Sequence, residues 1–286
     1  MFKVITALAL DDREVVVYPV LPSAGLGARE ILSGKEGLYD EVVCCGGDGT
    51  LHHVVNALME MENRPALGYV PAGSTNDFAV NIGMQNADMD VICRNLVNGV
   101  ETPYDIGRFN DRYFDYIAAF GAFVPISYAT DQKLKNILGH AAYFVSAFGS
   151  LQENLGYSTH MRITADEEVI EGDFLFGAVY SSLSIAGMRI KDSGFDDLND
   201  GVMDLLAVKR PNDLAKVTDI ANALITGGES DYLVLRKIKH AVFESQGDTD
   251  WTLDGEYGGT LRTARIDVLH KAIDVIMKAP RRLARH

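Results

Sequence analysis

Basic residues are scarce in this chain of 286. Its 26 Lys and Arg stand against 40 Asp and Glu, leaving a net charge of −14. A surface of that sign repels phosphate backbones and acidic lipid alike, which excludes nucleic acid as a partner and argues against strong adsorption to anionic membranes. One stretch departs from this, Lys278-Ala-Pro-Arg-Arg-Leu-Ala-Arg-His286, which reads either as a solvated tail or as a weak membrane-surface contact. Cysteine is scarce too: Cys44, Cys45 and Cys93 are three, without metal-ligand spacing. That excludes a disulfide framework and a zinc site, and leaves them as small core residues. His140, His160, His240 and His270 are scattered and form no ligand pattern. No apolar run approaches the roughly 20 residues that span a bilayer, and the opening Met-Phe-Lys has no signal-peptide pattern. The expected location is the cytoplasm, with at most a transient peripheral membrane contact. Repeats and low-complexity segments are absent.

What is present is a globular composition, 47% apolar, on a chain long enough for two domains. The stretch around which the chain is organised is Glu41-Val-Val-Cys-Cys-Gly46-Gly-Asp-Gly-Thr50, followed by Leu51, Val54, Val55, Leu58 and Met59. A short β-branched run reads as a buried strand, and apolar residues at i, i+3, i+4, i+7 and i+8 read as a helix face. Between them Gly46, Gly47 and Gly49 form a turn opening a helix, where backbone N–H groups and the helix dipole can hold a phosphate. Asp48 is the exception, since a carboxylate repels phosphates. It makes sense with a metal ion between the two, and Mg2+ is the usual bridge. Gly and Asp also make ordinary turns, but this turn lies at the carboxyl edge of a strand, where α/β folds bind ligands.

Taken in order, residues 2–9 and 14–20 predict strand, turn, strand, and Pro22-Ser-Ala-Gly25 leads to a short helix ending near Gly34. Ala66–Val70 is another buried strand. Pro71-Ala-Gly-Ser-Thr-Asn-Asp-Phe78 is a second loop opening a helix that runs to Ile82, with Gly73 for close approach, hydroxyls from Ser74 and Thr75, and Asn76 or Asp77 as the cap. Two such loops on consecutive strands are expected to face one another. Strand followed by helix, repeated, predicts a parallel sheet. From about Thr102 the pattern changes to strands at 103–109, 112–120, 158–165, 167–172, 174–182, 202–208, 235–243 and 261–269, interrupted by helices at about 134–154 and 211–226. This predicts a largely antiparallel second domain. Asp254-Gly255 is a hairpin signal, and Asp254 with Glu256 equally reads as carboxylates offering a general base. Asp196, Asp197 and Asp200 form either a solvated loop or an oxygen-ligand cation site. Phe114, Tyr116, Phe120, Phe123, Tyr143, Phe144 and Phe148 read as core, or as the lining of an apolar cleft.

The order of motifs resembles the diacylglycerol kinase catalytic family, which includes sphingosine kinases and soluble bacterial lipid kinases. The matching residues are Gly46-Gly-Asp-Gly-Thr-Leu51, Pro71-Ala-Gly-Ser-Thr-Asn-Asp-Phe-Ala79, the pattern Lys135 to Gly139 to Tyr143, Asn199-Asp-Gly-Val-Met-Asp-Leu205 and Leu253-Asp-Gly-Glu256. The resemblance implies an α/β plus β architecture. An N-terminal Rossmann-like nucleotide-binding domain of the NAD-kinase and phosphofructokinase-like superfold would cover 1–101, with about 270–286 returning to it. A C-terminal antiparallel β-sandwich lipid domain would cover 102–269. It also implies an ATP-dependent transferase of phospholipid metabolism acting on a lipid hydroxyl at a membrane surface, with Mg2+ as cofactor and a homodimer left open. Carried over by residue, Gly46, Gly47, Asp48, Gly49 and Thr50 would hold the ATP phosphates, Asp48 through Mg2+. Gly73, Ser74, Thr75 and Asn76 would complete the nucleotide site. Glu256 would take the proton from the lipid hydroxyl, with Asp254 supporting the metal or the base. Asp200, with backbone oxygens near Asp197 and Val202, would be a structural Mg2+ site.

The chain departs from the family pattern twice. The family's opening Asn-Pro-x-Ser-Gly turn is reduced to Pro22-Ser-Ala-Gly25, and His52-His53 stands where Asn-Glu usually follows Gly-Asp-Gly-Thr. Two other readings share these features: an NAD kinase-like enzyme, and a family member that binds nucleotide or lipid without catalysis.

Overall fold

The structure, a computed structural model, describes residues 1–121, 158–181, 184–185, 188–189, 198–213, 216, 219–220, 222–223 and 228–278. The expected helix at 134–154, Lys135, Gly139, Phe123, Tyr143, Phe144, Phe148, Asp196, Asp197 and the tail beyond 278 lie outside these residues, as does half of 211–226. In chain order the elements are α1 (Phe2–Leu10), α2 (Ala28–Leu32), β1 (Glu41–Gly46), α3 (Asp48–Met59), β2 (Ala66–Pro71), α4 (Asp77–Asn81) and α5 (Met89–Asn98). Then follow β3 (Val100–Phe109), β4 (Arg112–Phe114), β5 (Ile117–Gly121), β6 (Thr159–Ala165), β7 (Glu168–Tyr180), β8 (Ser184–Ile185), β9 (Met188–Arg189), β10 (Met203–Lys209), β11 (Leu233–Ile238), β12 (His240–Leu253) and β13 (Glu256–Met277). The chain forms two compact units, Met1–Asp105 with the segment from Lys271, and Ile106–His270. It passes from one to the other within β3 and returns within β13. Among the described residues no helix is long and apolar enough to cross a membrane.

In the first unit β1 and β2 run parallel, from Glu41 opposite Ala66 to Gly46 opposite Pro71. Parallel neighbours need a crossover, and α3 supplies it. The end of β13 joins the other side of β2, also parallel, with Val275 opposite Leu67. α3 places Leu51, Val55 and Leu58 on one fully buried stripe, at the i, i+4, i+7 spacing of a helix face. Phe78 packs edge-on between Tyr69 and Tyr104, ring centroids 5.6 and 5.4 Å away. The returning strand is tied by side chains: Asp105 Oδ1 accepts from Lys271 N–H at 2.7 Å, and Asn95 Nδ2 donates to the Ile276 carbonyl at 3.2 Å.

The strand–turn–strand expected over 2–20 is not found. Residues 2–10 are α1, with Val4 and Leu8 buried one helical turn apart on a helix that packs against α5, and Lys3 paired to Asp90 at 3.0 Å. A short apolar run satisfies either period, and the available partner was a helix. Residues 13–20 carry no regular structure, and Val16, Val17 and Val20 are exposed. Strand propensity without a neighbouring edge to pair with does not make a strand.

The second unit is antiparallel. β10 lies between β7 and β11, β7 also pairs β5 and β6, and β12 pairs β5, β6 and β13. Along β10, Met203, Leu205 and Ala207 enter one apolar cluster while Leu206 and Val208 enter another. A strand buried on both faces reads as a continuous apolar run, which is how 205–208 reads in the sequence after the single interruption at Asp204. Several boundaries differ from expectation: the strand expected at 261–269 extends over Glu256–Met277, and β12 continues to Leu253. Glu168–Tyr180 form one strand, β7, where strands at 167–172 and 174–182 were expected. The run 235–243 breaks at Lys239, where Asp166 accepts the N–H groups of Lys239 and His240 at 3.2 and 2.9 Å. The run 112–120 breaks at Asp115-Tyr116, for a reason that emerges at the Asp254 turn.

Candidate active site

In the first unit both glycine loops leave the same edge of the parallel pair, because Gly46 and Pro71 are register partners. Gly47 is the N-cap of α3 in extended conformation (φ −91°, ψ −176°), and the first bond of the helix runs from Leu51 N–H to the Gly47 carbonyl at 3.0 Å. The N–H groups of Asp48, Gly49 and Thr50 therefore precede the intrahelical ladder, as at any helix start. Thr50 folds back over the strand end: a Cβ at Gly46 would lie 2.7 Å from Thr50 Cβ. Ala72 N–H donates to the Gly46 carbonyl at 2.9 Å. A Cβ built on Gly47 would stand 3.0 Å from Gly73 Cα, and one on Gly73 would stand 2.6 Å from Gly47 Cα. The two loops thus meet backbone on backbone.

Asn76 shapes the second loop in a way the sequence left open. It occupies the N-cap position of α4, but with φ 54° and without a side-chain capping bond. Its Oδ1 instead accepts from Gly73 N–H at 2.8 Å and from the Tyr69 hydroxyl at 3.3 Å, and its Nδ2 donates to the Gly73 carbonyl at 2.8 Å. Ser74 and Thr75, at the tip, are exposed. Asp48 opens α3 at the end where the dipole favours an anion. His52 is buried in α3 and His53 exposed, so only the second of these two departures faces solvent. At the start of β1, burial pushes the Glu41 carboxyl up, and Arg13 at 2.6 Å opposes this only in part.

In the second unit Leu253 and Glu256 are register partners, closing a two-residue turn with Asp254 at φ 51° and Gly255 at φ 86°. Positive φ at both positions is the Asp-Gly hairpin turn. The turn is also chemically occupied. Asp254 is buried, and its Oδ1 accepts from the N–H groups of Tyr116 and Ile117, both at 3.0 Å, while Oδ2 accepts from Asp115 N–H at 3.1 Å. Asp254 N–H returns a bond to the Ile117 carbonyl at 2.8 Å. Three successive N–H groups turned toward one carboxylate cannot serve a neighbouring strand, which is why 112–120 divides into β4 and β5. Glu256, one residue beyond the turn, is half-buried, and its carbonyl accepts from Thr252 Oγ1 at 2.9 Å.

The acidic loop that carries Asp200 is arranged differently. Asp200 Oδ1 accepts from Val202 N–H at 3.1 Å, and Oδ2 faces Lys237 Nζ at 3.3 Å. His270 Nε2 lies 2.8 Å from the Asn199 carbonyl. Asp197 is outside the described residues. Of the aromatic set, Phe114 and Phe120 are core.

Sequence reasoning missed Asp115, a second buried carboxylate beside Asp254. An acid between Phe114 and Tyr116 in an otherwise apolar run was the available signal.

A family model described as the diacylglycerol kinase catalytic domain matches residues 8–109. Diacylglycerol kinase of Bacillus subtilis is 33% identical over 241 residues, covering 84% of this chain and 78% of that protein. The enzyme of the same name from Staphylococcus saprophyticus is 34% identical over 241 residues, covering 83% and 77%. Among solved structures, a diacylglycerol kinase from Bacillus anthracis superposes with a TM-score of 0.75 at 20% identity, covering 97% of this chain and 90% of that one. An NAD kinase from Archaeoglobus fulgidus, solved in complex with ATP, gives 0.50 at 10% identity over 97% and 89%. These two show a shared fold.

Proposed function

The chain belongs to the diacylglycerol kinase family, and from that premise we propose that it is an ATP-dependent lipid kinase, transferring the γ-phosphate to the hydroxyl of diacylglycerol or a related lipid. The observation that carries this reading is the meeting of the two loops at Gly47 and Gly73 over the N-terminus of α3. Phosphoryl transfer asks the protein for positioning and charge neutralisation more than for covalent chemistry. A cradle without Cβ atoms beside a helix start supplies the first. On this reading the first unit is a Rossmann-like nucleotide domain and the second a β-sandwich that takes the lipid.

The N–H groups of Gly49 and Thr50 bind phosphate oxygens, and Gly47 and Gly73 keep the approach open. Glu256 holds the proton released by the lipid hydroxyl at its carboxylate. Ser74 and Thr75, exposed at the second loop, offer hydroxyls to the nucleotide. The family implies Mg2+, and the donors at the first loop fit it: Asp48 contributes hard carboxylate oxygen, and no thiol or imidazole ligand is required there. Bound there, Mg2+ would neutralise phosphate charge. At the second-unit loop, Asp200 accepts from Val202 N–H and faces Lys237 at 3.3 Å; on the family reading its carboxylate, with backbone oxygens near Asp197 and Val202, would hold a structural Mg2+.

The test is transfer of labelled γ-phosphate from Mg-ATP to a panel of lipids in mixed micelles, with NAD as a parallel acceptor. Labelled lipid is expected, with Asp48→Asn and Glu256→Gln each abolishing turnover in protein that still unfolds cooperatively. Label on NAD alone, or none on any acceptor, would overturn the reading.

A further inference from the structure

Asp254 and Glu256 are two residues apart in one turn, yet their surroundings differ. Asp254 is 5% exposed and receives three backbone N–H groups from consecutive residues, Asp115, Tyr116 and Ile117. Successive N–H groups converging on one point make an anion-binding nest, and here the anion is the chain's own carboxylate. The corner so formed is tied on its far side as well, by Ser181 N–H to the Tyr116 carbonyl at 3.0 Å. Charge-assisted bonds from fixed backbone donors are among the stronger hydrogen bonds a protein makes. Glu256 receives none of these donors, and its side chain is left to other work.

We propose that Asp254 is a positioning residue: it clamps the corner Asp115-Tyr116-Ile117 to the hairpin turn and thereby sets where Glu256 stands. Both carboxylate oxygens are directed at backbone donors. These three bonds fix the carboxylate in place and hold β4 apart from β5. The clamp explains why an Asp is needed at a position where Asn or Gly would form the same turn: only a carboxylate presents acceptors on both oxygens to three N–H groups. This inference rests on the lipid-kinase reading for the role of Glu256, and on geometry alone for the clamp.

The experiment compares wild type, Asp254→Asn, Asp254→Ala and Glu256→Gln in two measurements, amide hydrogen exchange at residues 115–117 and steady-state phosphoryl transfer titrated in ATP and Mg2+. Asn keeps one acceptor oxygen, enough for Tyr116 and Ile117, and turns an N–H2 toward the Asp115 N–H. Exchange is therefore expected to quicken at Asp115 more than at Ile117 in Asp254→Asn, and at all three amides in Asp254→Ala. The turnover number is expected to fall on the order of tenfold in Asp254→Asn, the kinetic equivalent of one lost charge-assisted bond. It should fall further in Asp254→Ala, with KM for ATP and the Mg2+ half-saturation unchanged in both. The partial rescue by Asn is the decisive readout, since a base or ligand would be as dead as Asn as it is as Ala. Three results would overturn the proposal: unchanged exchange in Asp254→Asn, a Mg2+ half-saturation moved on the order of tenfold or more, or wild-type turnover in Asp254→Asn. Wild-type protein inactive on every lipid would instead overturn the lipid-kinase reading, and with it the link to Glu256, while the exchange data would still report the clamp.

Discussion

Gly47 and Gly73 lie in different loops, 26 positions apart in the chain, and approach until neither can carry a Cβ: the added atom would stand 3.0 Å and 2.6 Å from the other's Cα. Neither residue has the positive φ that usually explains a required glycine. The constraint is contact between backbones. Gly47→Ala and Gly73→Ala are each expected to push the loops apart, costing about 1–3 kcal/mol as overpacking does. ATP binding should weaken in both. Thermal midpoint and nucleotide titration check the pair. Gly73→Ala is expected to be the worse of the two, because its Cβ would also meet Asn76 Oδ1 at 2.8 Å.

Asn76 braces the same contact from below. Its αL backbone conformation suits Asn and Gly better than other residues, and its amide bonds both backbone groups of Gly73 and the Tyr69 hydroxyl. Asn76→Gly keeps the conformation and loses the bonds, whereas Asn76→Ala loses both. The expected order of stability is wild type, Gly, Ala, spread over about 1–3 kcal/mol. Urea unfolding reads that order. A variant Asn76→Ala as stable as Asn76→Gly would mean the backbone conformation carries no strain.

How much of this was legible in the sequence follows from the range of the forces involved. The turn between β1 and α3 was, because the strand run, the glycines and the helical spacing of Leu51, Val55 and Leu58 are all local. The Asp254-Gly255 turn was legible for the same reason. The break between β4 and β5 was not, since its cause is a carboxylate 139 positions away. Nor was the pairing of Asp200 with Lys237, 37 positions apart. Residues 2–10 were ambiguous in principle: Val4 and Leu8 fit a helix and the run as a whole fits a strand, and only the presence of α5 decides.

His160 gives the second unit a pH dependence of definite sign. Its Nδ1 lies 2.9 Å from Asp173 Oδ1 and its Nε2 3.4 Å from Glu171 Oε1, and these two acceptors hold its pKa above the ordinary value. A histidine raised in the folded state contributes stability that is fully present below its unfolded value, near about pH 6.5, and that is lost as pH rises through the folded value. Because the group is solvent-exposed the contribution is small and salt-sensitive. His160→Gln is therefore expected to lower the thermal midpoint at about pH 5.5 and to leave it unchanged at about pH 8.5. The difference should shrink in high salt. A variant equally destabilised at both values would show that His160 acts by packing and not by charge.

The core of the second unit can be read through one chromophore, since Trp251 is the sole tryptophan of the chain and is 1% exposed. Phe120, Phe109 and Phe243 surround it with ring centroids 4.9, 5.0 and 5.1 Å away. Phe120 is in turn seated on Gly177, its partner across β5 and β7, where any Cβ would enter the phenyl ring. Gly177→Ala should therefore act at a distance: the methyl displaces Phe120, and Phe120 displaces Trp251. The expected cost is about 1–3 kcal/mol, the range for overpacking a filled core. Phe120→Ala opens a cavity and is expected to cost about 3–5 kcal/mol. Both should red-shift the native Trp251 emission, the second more strongly because water gains access. Gly177→Ala with unchanged emission would mean that β7 yields to the methyl before the ring does, and the stack from Gly177 to Trp251 would not be the rigid path that these contacts describe.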